Sequence, residues 1–230
     1  MTVTCSSVFL LLVSVLVPVA AVWASAASAQ ASDPTPVGAP VLPATGRVVV
    51  IVDVPAPWYA FDFVLPGQFK KVLPTYQRLN GLRFKAFSIH PTQTQKLFGG
   101  IYLWDSEAQA RRWFTPAWVA EVARKRGHQP SVRYYPLVSD QHFVTPEFDY
   151  RAGESESVTV FVHGLSPALR AACLTAQPGL LRSYLVREKG EKEGALLLFA
   201  AADQATAFLQ RQQEPAHDWF KTPVLLNNAR

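Results

Sequence analysis

The sequence predicts an α+β fold in which two βαββαβ units follow one another along a single chain, and three observations carry that prediction. Hydrophobic residues make up 49% of the 230, aromatic residues 12% and charged residues 17%. That balance supports a sizeable core and excludes a disordered chain. The chain also repeats itself. NGLRFKAFSI (80–89) and GGIYLWDSEAQARRWF (99–114) return as PGLLRSYLV (178–186) and GALLLFAAADQATAFL (194–209). Finally, β-branched runs and helical stripes alternate in the same order in both copies.

In the repeat register Gly81 matches Gly179, Leu82 matches Leu180 and Lys85 matches Ser183. After the intervening loop Gly99 matches Gly194, Tyr102 matches Leu197, Trp104 matches Phe199, Gln109 matches Gln204 and Trp113 matches Phe208. The offset falls from 98 to 95, so the second loop is three residues shorter.

Residues 1–29 read as a signal peptide. An apolar run over 8–22, broken only by Ser14 and Pro18, ends in small residues up to Ala29, which predicts cleavage before Gln30 and a secreted or periplasmic protein. No basic residue precedes the run, so a retained anchor is the alternative, although a spanning helix needs ~20 apolar residues. Residues 30–46, with Pro34, Pro36, Pro40 and Pro43, form a linker. Of the two cysteines Cys5 lies in the leader, which leaves Cys173 without a disulfide partner.

The first unit spans 47–143. A β-branched strand (47–54) precedes a helix whose stripe is Phe69, Val72, Leu73, Tyr76 and Leu79, kinked at Pro74 and stopped by Asn80-Gly81. The second and third strands are 82–89 and 100–104. Ser106 and Gln109 have capping-box spacing and open a helix over 106–114. Thr115-Pro116 opens another over 116–126, ended by Gly127, before a strand at 131–137. A linker (144–156) leads to the second unit, 157–230. There a strand at 157–162 precedes a helix begun by Ser166-Pro167 and striped by Leu169, Ala172, Cys173 and Ala176. The copy is abbreviated, with 224–226 as its last strand. This is the ferredoxin-like order. Each such sheet carries helices on one face only, and two of them bury their bare faces against each other.

Residues 81–104 carry Gly81-Leu82-x-Phe84-Lys85 and then Gly99-Gly100-Ile101-Tyr102-Leu103-Trp104. This pattern resembles the small bacterial YdhR-type mono-oxygenases of the dimeric α+β barrel superfamily, which includes the antibiotic-biosynthesis mono-oxygenases. The likeness covers roughly 47–143 in motif and 157–226 in fold. It implies an intramolecular dimeric α+β barrel. It also implies oxygenation of a phenolic or polycyclic molecule by dioxygen without metal or flavin, although relatives also degrade haem or only bind ligands.

Candidate site residues follow from strand alternation. Ile101 and Leu103 suit the helix-covered face, which turns Tyr102 and Trp104 toward the barrel. With Phe84 they would line a ligand pocket in which Tyr102 moves a proton, or else they simply fill the interface. The second copy has Leu197 and Phe199 there, so any pocket belongs to the first unit. Lys85 lies opposite Phe84 and either holds an anion or snorkels to solvent. His163, at a strand end beside Gly164, is the candidate base or axial haem ligand, against the reading of a surface histidine. The five histidines show no metal-ligand spacing, and neither a G-x-S-x-G nor a nucleotide-binding motif occurs.

The net charge of +5 is uneven: 47–143 holds 13 basic and 6 acidic residues, whereas 144–230 holds 9 and 10. Arg124-Lys125-Arg126 complements a helix C-terminus, and Arg111 and Arg112 read as a solvated face, so nucleic acid is not the expected partner. The expectation is an exported, cofactor-independent mono-oxygenase acting on a small hydrophobic or phenolic molecule, without a stable membrane span after cleavage. Further homo-oligomerisation stays open. The alternative is a non-catalytic module that binds a small ligand, haem among the options, or an envelope partner.

Overall fold

The computed structural model describes residues 46–57, 60–92, 94–143, 156–213 and 215–228. The predicted leader, all but the last residue of the first linker, and residues 144–155 lie outside the described residues. Among the described residues no helix is long and apolar enough to cross a membrane.

The first half runs β1 (Val48–Pro55), α1 (Leu65–Gln77), β2 (Leu82–Pro91), β3 (Lys96–Trp104), α2 (Glu107–Trp113), α3 (Pro116–Arg126) and β4 (Ser131–His142). The second half runs β5 (Val158–Val162), α4 (Pro167–Leu174), β6 (Leu180–Arg187), a 3-10 turn (Lys189–Glu191), β7 (Glu193–Phe199), α5 (Ala202–Arg211) and β8 (His217–Asn227). Local chemistry explains the boundaries. Ser106, Thr115 and Ser166 each accept a hydrogen bond from the backbone N–H three residues on, which starts α2, α3 and α4. Gly127, at φ 74°, ends α3 in the left-handed region. α1 runs through Pro74 and buries Leu65, Phe69, Val72 and Tyr76.

All eight strands are antiparallel and close into one barrel in the order β1-β3-β2-β8-β5-β7-β6-β4. Each half contributes a run in which its fourth strand flanks its first, then its third, then its second. The halves join at two seams, β2 with β8 and β4 with β6. These seams explain why two strands are longer than expected. β4 continues to His142 because residues 137–142 pair with β6, and β8 begins at His217 because 217–221 pair with β5.

The internal match extends to irregular features. β2 pairs with β3 from Leu82↔Trp104 and then skips a residue before Phe84, and β6 pairs with β7 from Leu180↔Phe199 and skips one before Arg182. Gly81 (φ 84°) is covered by the Gln109 side chain and Gly179 (φ 71°) by Gln204, so a Cβ at either would collide with an amide. The Asp105 N–H donates to the Gly81 carbonyl, and the Ala200 N–H to that of Gly179, both at 2.8 Å.

Three clusters of buried side chains follow from closure. Inside the barrel Val49, Ile51, Phe84, Ala86, Ile101 and Leu103 of the first half meet Phe161, Tyr184, Leu196, Leu198 and Phe220 of the second. Outside it, one cluster lies under α1–α3 and another under α4 and α5. The face assignment made from the sequence is therefore corrected. Ile101 and Leu103 point into the barrel, whereas Tyr102 and Trp104 point outward beneath the helices. The interior of an eight-stranded barrel is filled by side chains, and here it holds the rings of Phe84, Phe161, Tyr184 and Phe220 among aliphatic groups. The space under α1–α3 takes the indoles of Trp104, Trp113 and Trp118 with Phe69, Tyr76 and Phe114.

Candidate functional site

Beneath α1 the sheet presents Lys85 from β2 and Tyr102 from β3, paired directly across the two strands. The lysine is fully buried, and its Nζ donates to Tyr102 Oη at 2.6 Å. The same Nζ stands 3.5 Å from the ring centre of Tyr76, 4.0 Å from that of Phe87 and 4.1 Å from that of Tyr102. Three ring faces thus replace part of the water that an ammonium would keep. Burial pulls the Lys85 amine well below the ordinary lysine value and pushes the Tyr76 and Tyr102 phenols above theirs. Neither tyrosine is a phenolate near neutrality. Lys85 is therefore buried in the sheet rather than snorkelled to solvent.

The backbone makes room for this group. A Cβ on Gly100 would come within 3.2 Å of Lys85 Cε and 3.0 Å of Tyr102 Cε2. At the matching positions the second half has Ala195, Ser183 and Leu197, with Ser183 paired to Leu197 as Lys85 is to Tyr102. The cation is built only where a glycine admits its stem.

Adjoining the cluster is a cleft of about 240 Å³. Trp104 and Trp113 line it, with Arg78, Asn80, Gln109 and Arg112 among its other walls. Both indole N–H groups are buried without a hydrogen-bond acceptor among the described residues, a costly arrangement in an apolar site. Rings connect cleft and cluster: Trp113 to Tyr76 at 5.8 Å between centroids, Trp104 to Phe114 at 6.2 Å, and Phe114 to Tyr102 at 5.1 Å. Lys85 and Tyr102 therefore sit two rings behind the cleft.

The structure brings Tyr102, Trp104 and Lys85 together and separates the other two candidates. Phe84 points to the opposite side of the sheet, 6.2 Å from Tyr184 inside the barrel. Phe87 takes the place with Tyr102 and Trp104 that the sequence reading gives to Phe84, because Phe87 and not Phe84 shares their face of the sheet. His163 lies in the second half, with Nδ1 2.8 Å from Glu188 Oε2 and Nε2 3.4 Å from Asp218 Oδ2. The Gly164 N–H donates to the other Glu188 oxygen at 3.2 Å. Both ring nitrogens are engaged, so an iron would have to displace a carboxylate. Among the described residues no cluster of histidine, cysteine and carboxylate side chains could hold a metal ion. Cys173 is buried under α4, and burial pushes its thiol up to about 12.

Asp218, assisted by Glu188, raises the His163 pKa above the ordinary 6.5, and burial only partly opposes them. A histidine with a raised native pKa stabilises the fold below its unfolded value and loses that contribution as pH climbs through the native one. Relative to His163→Gln, the wild type is expected to be more stable at pH 6 than at pH 8.5. The difference in urea unfolding should stay below about 1 kcal/mol, because the side chain is one-third exposed and screened. An unchanged difference across that range would refute it.

Tyr76, Trp113, Arg78 and Arg112 were not singled out as site residues. Tyr76 and Trp113 were visible only as core-stripe and repeat positions. Arg112 does face solvent, yet it also stands at the cleft. Nothing in one sequence shows that positions 78, 104 and 112 converge.

No family model matches the chain, and neither does any curated protein. Solved structures do resemble it. A "putative monooxygenase" from Fusobacterium nucleatum aligns with TM-score 0.55 at 8% identity over 80% of this chain and 95% of that one. Another "putative monooxygenase", from Lactobacillus acidophilus, aligns at 0.47 with 6% identity over 80% and 97%. An "anthrone oxidase-like protein" aligns at 0.43 with 8% identity over 80% and 94%. At these identities the likeness is one of fold. The shared fold is an α+β barrel of eight antiparallel strands.

Proposed function

We propose that the chain is an exported mono-oxygenase-like protein made of two tandem ferredoxin-like units, the first of which binds a small aromatic molecule. The matched bulges and the paired Gly–Gln contacts support the duplication. The observation that carries the ligand reading is the pair of buried, unpartnered indole donors, Trp104 Nε1 and Trp113 Nε1, on two residues that line a cleft flanked by Arg78 and Arg112. A phenolate or enolate oxygen satisfies those donors, a ring stacks on the indoles, and the guanidinium groups favour the anion. Burying the substrate anion there makes it a better electron donor to dioxygen. One oxygen atom enters the product as a carbonyl, and the other leaves as water with the two hydrogens of the oxidised carbon. Lys85 and Tyr102 act as positioning residues that hold the aromatic wall from behind.

Aerobic incubation with an anthrone tests this. The wild type should consume oxygen stoichiometrically with product, and Trp104→Phe, which removes one donor, should slow the reaction roughly a hundredfold. No uptake above the variant would overturn the reading. One observation favours a second reading, capture without chemistry: no histidine, carboxylate or cysteine is among the described residues that line the cleft. A small molecule that co-purifies with the protein and leaves it unaltered in native mass spectrometry is the outcome that reading requires.

A further inference from the structure

β4 pairs with β6 only from Leu137↔Val186 onward, while β6 stays paired with β7 down to Arg187↔Glu193. The barrel wall therefore opens as a wedge between residues 132–135 of β4 and the tip of the β6–β7 hairpin. The opening is a cleft of about 580 Å³, in the range of small-molecule sites. It lies in the wall between the halves and shares no lining residue with the cleft at Trp104 and Trp113.

Its charges do not cancel. Arg111 stacks 4.3 Å over the Tyr134 ring and donates to Glu107 at 2.7 Å. Arg133 is bound by Asp53, and Glu188 is held by His163 and the Gly164 N–H. Lys189 and Lys192 have no carboxylate within 4.0 Å among the described residues, and both line the cleft from opposite ends of the hairpin turn. That turn is defined: Gly190 takes φ 76°, and the Glu188 N–H donates to the Lys192 carbonyl at 2.8 Å. The wall opposite adds backbone donors. The Leu137 N–H donates to the Arg47 carbonyl on the β1 side, so strand alternation turns the N–H groups of Val132 and Tyr134 toward the opening.

We infer that this wedge is a second binding site, for a small aromatic molecule bearing a carboxylate or phosphate. Lys189 and Lys192 take its oxyanion, the β4 backbone donors complete the oxygen shell, and the Tyr134 ring, on the outer face of the sheet with Val132, packs against its planar part. The site is independent of the proposed oxygenation, and its test needs no activity.

Isothermal titration of the full chain with phenyl phosphate, benzoate and inorganic phosphate at fixed ionic strength tests it. Phenyl phosphate or benzoate should bind one to one, and the double variant Lys189→Gln, Lys192→Gln should weaken that binding roughly tenfold or more. Both lysines are exposed, so the variant should melt as the wild type does. Trp113→Phe should leave the titration unchanged. Absence of saturable binding, or equal binding by the double variant, would overturn the site. Inorganic phosphate binding as tightly as phenyl phosphate would overturn the aromatic part.

Discussion

Replacing Asp140 by alanine is expected to cost about 3–5 kcal/mol, because it removes the carboxylate that pairs with a buried arginine at one of the two seams that close the barrel. Asp140 lies on β4 and Arg182 on β6, with side-chain exposures of 5% and 2%. The guanidinium donates twice, Nε to Oδ1 at 3.1 Å and Nη2 to Oδ2 at 3.0 Å, and Arg47 adds a third bond at 3.0 Å. Burial alone would raise the carboxyl pKa, but His142 and Arg182 outweigh it and hold the group well below the usual carboxylate range. A depressed carboxylate stabilises the fold above its unfolded pKa and loses that contribution as pH falls through the native one. The alanine variant should therefore lose most of its deficit in strong acid. Chemical denaturation at pH 7 and in acid checks both points. A loss below about 1 kcal/mol at pH 7 would show that the pair does not hold the seam.

The second large effect has the opposite sign. Lys85→Met should stabilise the protein by roughly 1–3 kcal/mol at pH 7, since a thioether fills the channel over Gly100 without a buried charge. Because burial depresses the native pKa below the ordinary 10.5, the unfolded chain carries the extra proton between those two values. Wild-type stability then rises by about 1.4 kcal/mol per pH unit in that interval, and the advantage of methionine fades as pH approaches 10.5. Unfolding of both proteins at pH 7 and 10 tests the sign. A less stable methionine variant would show that the rings of Tyr76, Phe87 and Tyr102 hold the ammonium better than water does.

Much of the fold was legible because it is written in local chemistry. The caps at Ser106, Thr115 and Ser166, the turns at Gly81 and Gly179, and the matched order of strands and helices all depend on neighbours a few residues away. The repeat register also identified Lys85 with Ser183 and Tyr102 with Leu197, and so located the asymmetry between the halves. Alternation along β3 separated Ile101 and Leu103 from Tyr102 and Trp104, but it could not say which pair faced inward.

The chain by itself determined the elements, their order and the odd cation of the first half, because these follow from propensity, spacing and composition. Closure decided the rest. Only once eight strands meet in a ring does each strand acquire an inner and an outer face, with Phe84 and Phe161 turned in and Tyr102 and Trp104 turned out under the helices. Packing of the helices on the sheet of the first half in turn brings Arg78, Trp104 and Arg112 around a common space. Inside and outside are properties of the closed surface, and no stretch of sequence contains them.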